Sequence, residues 1–393
     1  MKKVILFAVI AAFIGSSYGQ SCLQDVWMSM QNKKVMEAKK KIDECMAGNE
    51  GSAKAWLYKG NVYLRVYDQD NERLKKNPAY VSKTPDALWI AYESFYKSMQ
   101  IDVNVSDDGV IDPKEGQRIC ADPLMAIGIE AWKAKDLDKA DKYIRAGIKC
   151  YEASGSKKSA GLGYYDLASV AYEKGGKEAQ LAVLDEAIKA NVGLVEIYTT
   201  AYEMYSEAKN LEKCKDILAK AKKNVNEQYV IYIHLLDLGY NAEIGDSAKM
   251  EKALERIYKR DTMADIMSDA ANYLLNAGMY DKAEEIVDRG LKKSPNDYSL
   301  NNMKAYGYFL RLDKIIKLRN QAITDRNYEL AGKYKEEQDA LLNKAHEWAQ
   351  KAFDIEPDHL QNAKMLKQLK LQLGKEVPAE VSAIIEKYNT PKE

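Results

Sequence analysis

Apolar and small residues recur at helical spacing along nearly the whole chain, in paired segments that return with a near-constant period. The stretch from Thr262 to Asp297 shows it most clearly. Met267, Ala270, Ala271 and Leu274 fall on one face of a first helix; Ala283, Val287 and Gly290 fall on one face of a second, and Pro295 closes the unit. Tyr165, Tyr198, Tyr232, Met267 and Met303 hold equivalent first-helix places, at intervals of 33, 34, 35 and 36 residues. One such hairpin cannot bury its apolar faces alone, so the pattern predicts a stack of them.

Other units repeat the theme. Trp56, Gly60 and Tyr63 are followed by Ala91, Phe95 and Ser98, and Leu124, Gly128 and Ala131 by Ala140, Ile144 and Gly147. These residues match the W-x2-L-G-x2-Y and A-x3-F-x2-A-x4-P patterns, and the chain resembles the tetratricopeptide repeat family over nearly all of its length. It is also similar in layout to secreted repeat proteins of Bacteroidota. The resemblance implies an all-α solenoid superhelix of about eight hairpins with a C-terminal capping helix. Cys214 departs from the pattern at a core alanine place.

Two hairpins are interrupted. An insertion near 65–87 carries Pro78 and Pro85 and predicts irregular backbone. A second, near 312–338, is charged, proline-free and helical in period, so it predicts extended helices. The Gly/Ser/Lys segment 155–163 reads as a flexible linker between N-terminal hairpins over 20–154 and C-terminal hairpins over 164–393.

Residues 1–19 read as a secretory signal: Lys2 and Lys3, the apolar run Val4 to Ile14, then Ser17 and Gly19 before the cut. The expectation is a periplasmic or secreted protein with no transmembrane segment after cleavage. Lipid attachment at Cys22 is disfavoured, because Gly19, Gln20 and Ser21 do not form a lipobox. Loss of the leader removes two lysines from 59 basic and 59 acidic residues, for a net charge of −2. With no basic patch interleaved with aromatics, nucleic acid is not an expected partner.

In an antiparallel hairpin the start of the first helix lies beside the end of the second. Cys22 and Cys45 stand in that relation, as do Cys120 and Cys150, and two disulfides are expected in an exported chain. Cys214 is expected to be a buried small residue. The segment Asn104 to Glu115 imitates a calcium loop, with Asn104, Ser106, Asp108, Asp112 and Glu115 as oxygen ligands, but Pro113 inside it and Asn at the first position favour an ordinary acidic loop. No cofactor is called for. His234, His346 and His359 have no ligand spacing, the S-x-x-K at Ser154 to Lys157 lacks companion motifs, and no enzyme is expected.

The resemblance implies a concave groove lined by first-helix residues. By register these are Asn61, Leu64, Met125, Ile129, Trp132, Thr199, Glu203, Asn272, Tyr308 and Arg311. The family's carboxylate clamp is not matched, since Leu57 stands where its lysine belongs. The expected function is a protein-binding scaffold that holds a peptide or helix, within an envelope-associated complex. The alternative is a solute-binding protein for glycans or peptides, with Trp132 and nearby tyrosines as a stacking platform.

Overall fold

The computed structural model describes residues 22–260 and 263–389, so the leader lies outside the described residues. Among them the chain is all helix and turn, with no strand. The helices are α1 (22–31), α2 (Val35–Met46), α3 (Ala53–Lys76), α4 (Ala87–Ile101), α5 (Pro113–Lys133), α6 (Leu137–Ala153), α7 (Lys157–Lys189), α8 (Val195–Glu207) and α9 (Leu211–Asn224). They continue with α10 (Val230–Ile244), α11 (Ser247–Tyr258), α12 (Ala264–Asn276), α13 (Tyr280–Lys293), α14 (Tyr298–Thr324), α15 (Tyr328–Ile355), α16 (Leu360–Gln372) and α17 (Ala379–Asn389). No helix among the described residues is long and apolar enough to cross a membrane.

The turns explain the pairing. Lys33, Lys135, Lys209, Gly245, Gly278 and Arg326, each just past a first helix, adopt positive φ. This left-handed residue reverses the chain, and the N–H beyond it reaches back into the last helical turn: Asp136 N–H bonds the Ala131 carbonyl at 2.9 Å. Asp136, Asn210, Asp246 and Asn327 then cap the following helix with their side chains. Gly176 (φ 75°, ψ −161°) breaks α7 into two helices through a conformation different from that of these turns. The α3–α4 connection departs from this scheme, because it carries the first insertion.

Two compact units divide the chain, the first ending at Met204 and the second beginning at Tyr205. In the first unit, the core of α1 to α6 is set by glycines that admit large neighbours. A Cβ on Gly60 would lie 2.7 Å from the Phe95 ring, and one on Gly116 2.6 Å from it, so Phe95 sits between α3 and α5 at a separation only glycine allows. In the second unit, one core runs through α10 to α14 and another through α14 to α17. Residues 312–338 form the outer parts of α14 and α15 and the turn between them.

Three sequence expectations are corrected. Segment 155–163 is not a loose linker: from Lys157 it is the first turns of α7, where Gly163 packs against Ile148 and Gly161 against Leu194. Glycine there serves close packing instead of mobility. Much of insertion 65–87 is helix, since α3 runs to Lys76. The loop beyond is tied back by buried Asp70, which accepts from the Tyr80 hydroxyl at 2.6 Å and from Ser82. The repeat register slips at Tyr165: it is 42% exposed, and Tyr164, at 9%, takes the core place.

The cysteine expectation divides. Cys22 and Cys45 form a disulfide with Cα atoms 5.8 Å apart, joining α1 to the end of α2. Cys120 and Cys150 are separate thiols, which corrects the second pairing. Both are fully buried in the core of the first unit, where desolvation opposes the thiolate that disulfide exchange requires; burial, with the nearby Asp68, pushes Cys120 up to about 12. Cys214 is buried on α9.

Candidate binding surfaces

The expected groove residues differ in burial and in the partners they hold within each unit. In the first unit several of them are structural. Asn61 is 2% exposed and clamps the following loop to α3: its amide donates to the Ile111 carbonyl at 2.8 Å, and its oxygen accepts from the Ile111 N–H at 2.8 Å. A buried amide needs such partners, and that need outweighs any place in a groove. Leu64 and Met125 are core residues, Met125 filling the space left by Gly147 and Gly163. Trp132 is half-buried and donates through Nε1 to Glu173 at 3.0 Å, so its indole N–H joins α5 to α7. Ile129 is half-buried beside it in sequence. Thr199 turns its hydroxyl back to the Val195 carbonyl at 3.3 Å, while Glu203 is exposed.

The loop that imitates a calcium site is committed elsewhere. Asp112 caps α5 by accepting from the N–H groups of Lys114 and Glu115 at 3.0 and 3.1 Å, and Glu115 pairs with Arg118. Asn104 and Ser106 lie in the preceding turn, and no set of three acidic, histidine or cysteine side chains among the described residues is placed to share a cation. Its Asp107, passed over in the sequence, is the residue that matters. It accepts from the Tyr58 hydroxyl at 2.7 Å and pairs with Lys54 at 2.8 Å. Burial alone would raise the Asp107 pKa; the bonds from Lys54 and Tyr58 outweigh it and hold the carboxyl below its ordinary value. A cleft of about 340 Å³ opens here, between Leu23, Trp27, Tyr58 and Asp107.

In the second unit Asn272 is exposed, and Tyr308 and Arg311 meet in a polar network between α13 and α14. Tyr308 is buried and donates to Glu284; Arg311 bonds Asp281 at 2.9 Å and Glu284 at 3.1 Å. Burial, then the Glu284 carboxylate, pushes the Tyr308 phenol up, so it stays protonated as the donor. Arg311 also borders a larger cleft, of about 600 Å³, framed by the α12–α13 turn and by α14 and α15. Met279, Tyr280 and Leu318 supply apolar surface over buried Met250 and Ile315, and Lys314 and Glu337 supply charge. Of these, only Arg311 was legible from repeat register. The rest come from the start of α11, from the α12–α13 turn and the start of α13, and from inserted helical residues.

The fold and its surfaces define a helical-repeat solenoid of the tetratricopeptide type, whose clefts are suited to holding another molecule. The sequence pattern of the ChAPs (Chs5p-Arf1p-binding proteins) matches residues 59–314, about two-thirds of the chain, and the chain belongs to that family. No curated protein matches it. Solved structures with a similar course include yeast Tom70, at 14% identity, 95% of this chain, 91% of that chain and a TM-score of 0.43. A tetratricopeptide repeat protein from Parabacteroides merdae is 16% identical over 63% of this chain and 98% of its own, with a TM-score of 0.37. One from Bacteroides fragilis is 18% identical over 64% and 98%, with a TM-score of 0.25.

Proposed function

We propose that this protein is a non-enzymatic scaffold, exported to the bacterial envelope, that holds a peptide or helix of a partner protein in the cleft of its second unit. The observation that carries this is the cleft's composition. A methionine, a tyrosine and a leucine give adaptable apolar surface over buried Met250 and Ile315, and Arg311 and Tyr308 behind them are fixed by Glu284. At about 600 Å³ it can take a few side chains of a bound segment. The family's name, which records binding to Chs5p and Arf1p, supports a protein partner. Export rests on the leader sequence at residues 1–19 and is supported by the disulfide, which also occupies the sulfur that lipid attachment at Cys22 would need.

Affinity capture from cell envelopes, beside a Met279→Asp, Leu318→Asp variant, tests the assignment. A single protein recovered in near-equal amount by the wild type and lost by the variant is the expected result. Equal recovery by both moves binding away from this cleft. Recovery of no protein, together with saturable oligosaccharide binding, would replace the scaffold with the solute-binding alternative.

A further inference from the structure

Where α9, α10 and α11 meet, in the second unit, several cations and one buried aspartate among the described residues gather near a half-buried histidine. Lys222 at the end of α9 bonds Asp237 at 2.9 Å, and Arg256 on α11 approaches the other oxygen of the same carboxylate at 3.5 Å. Asn241 donates to Asp237 as well, at 3.3 Å. Arg260, just past α11, has no carboxylate partner among the described residues. Among the described residues, the charges that weigh most on His234 are the cations Lys222, Arg256 and Arg260 and the carboxylate Asp237. His234 adds a ring nitrogen, Nδ1, that is buried and has no hydrogen-bond partner.

Helix C-termini favour lysine and arginine, which accounts for Lys222 and Arg260 taken singly. It does not account for a histidine tucked among them with an unused nitrogen. Lys222 and Arg256 keep about half of their side-chain surface exposed (47% and 53%), so they can reach a ligand from solvent, while Asp237, at 12%, stays beneath them as their support. A guanidinium with one N–H directed at Asp237 retains others for a second acceptor. We propose that this corner is an oxyanion site that takes a phosphoryl group, held by Arg256, Arg260 and Lys222 with His234 as a fourth, proton-dependent donor. The site is separate from the cleft assigned to the protein partner and does not depend on that assignment.

Burial, then Arg256 and Arg260, hold the His234 imidazole below the ordinary histidine range, so it is neutral near pH 7 in the free protein. A bound anion offsets those cations and raises it again. Binding therefore takes up protons, and affinity rises as the pH falls from neutrality toward 6.

The chain has three histidines, so ring NMR signals can be followed individually while the full chain is titrated with inorganic phosphate. The expected result is a saturable shift of the His234 signals, with His346 and His359 unmoved. Affinity for sulfate, an oxyanion whose charge is constant over this range, should be higher at pH 6 than at pH 7.5. An Arg256→Gln, Arg260→Gln variant, changed at two exposed side chains, should bind roughly tenfold or more weakly and keep its fold. A shift that follows ionic strength equally with chloride, or that survives in the variant, overturns the site. Glycerol 3-phosphate and vesicles carrying phosphatidic acid then separate the sources: competition by the former supports a soluble ligand, and variant-sensitive retention on the latter supports a lipid headgroup.

Discussion

The two units solve the same packing problem with different means. The first is closed down. A disulfide joins its first two helices, Asn61 clamps one inter-repeat loop, Asp70 ties back the inserted α3–α4 loop, and glycines draw α3 and α5 onto Phe95. The second unit extends α14 and α15 to 27 and 28 residues, leaves Leu318, Ile323 and Tyr328 exposed, and opens a cleft of about 600 Å³ lined by Leu318. An insertion tied by a buried polar network adds to stability. One that extends a helical hairpin adds surface, and surface is what a scaffold uses.

The sharpest way to break this comparison is at Phe95. Phe95→Ala should cost the first unit about 3–5 kcal/mol, since the glycines around it cannot fill the space left. Trp27, Trp56, Trp89 and Trp132 report that unit and Trp348 the other, so fluorescence-detected urea unfolding of a Trp348→Phe background should show the loss. An unfolding midpoint that did not move would mean Phe95 is not the keystone of this core.

Next in size is the disulfide. Cys45→Ser, or reductant, should remove about 2–4 kcal/mol from the first unit, by freeing a closed loop of 23-residue separation. A variant at Tyr280 or Leu318 run beside it should be unaffected by reductant beyond the wild-type response.

Tyr58→Phe should cost about 1 kcal/mol by removing the hydroxyl from Asp107. The same contact gives a pH signature. Because the folded state lowers the Asp107 pKa, its contribution is complete above the unfolded aspartate value, near 3.9, and is lost as the pH falls below that through the folded value. Acid titration of stability should therefore be shallower in Asp107→Asn, and an unchanged acid limb would show that the carboxylate is not held there.

The smallest expected effect on stability is at the second unit's open edge. Leu318→Ser should change the unfolding free energy by no more than about 0.5 kcal/mol, because the side chain is already 38% exposed, yet it should weaken partner binding. Calorimetry and binding measured on the same variant separate the two. A large loss of stability would mean that the leucine is a packing residue.

Repeat architecture was readable because helical periodicity is local. Ala, Gly and large apolar residues at i, i+3, i+4 and i+7 appear in the sequence wherever a helix buries a stripe, and the paired stripes mark eight hairpins from α1 to α15. The left-handed turn residues followed by Asp or Asn are local as well. The candidate surfaces were much less readable. Repeat register placed Asn61, Leu64, Met125 and Tyr308 in a groove, but each is buried, because a neighbouring loop or helix covers the same face. A residue's stripe can be inferred from its own helix, while its exposure depends on the next element.

By itself, then, the sequence determined the all-helical class and the hairpin period, each set by spacing along one or two adjacent helices, and it offered Cys22–Cys45 and Cys120–Cys150 as pairings on equal terms. Only the tertiary structure decided that residues 157–163 are helix, that Cys120 and Cys150 stay as thiols, and that the cleft lies between a turn and the inserted parts of α14 and α15. Those outcomes depend on close approach between segments distant in the chain, such as a glycine meeting an isoleucine or a turn meeting two long helices. Such approaches are fixed by shape and desolvation, and leave no period in the sequence.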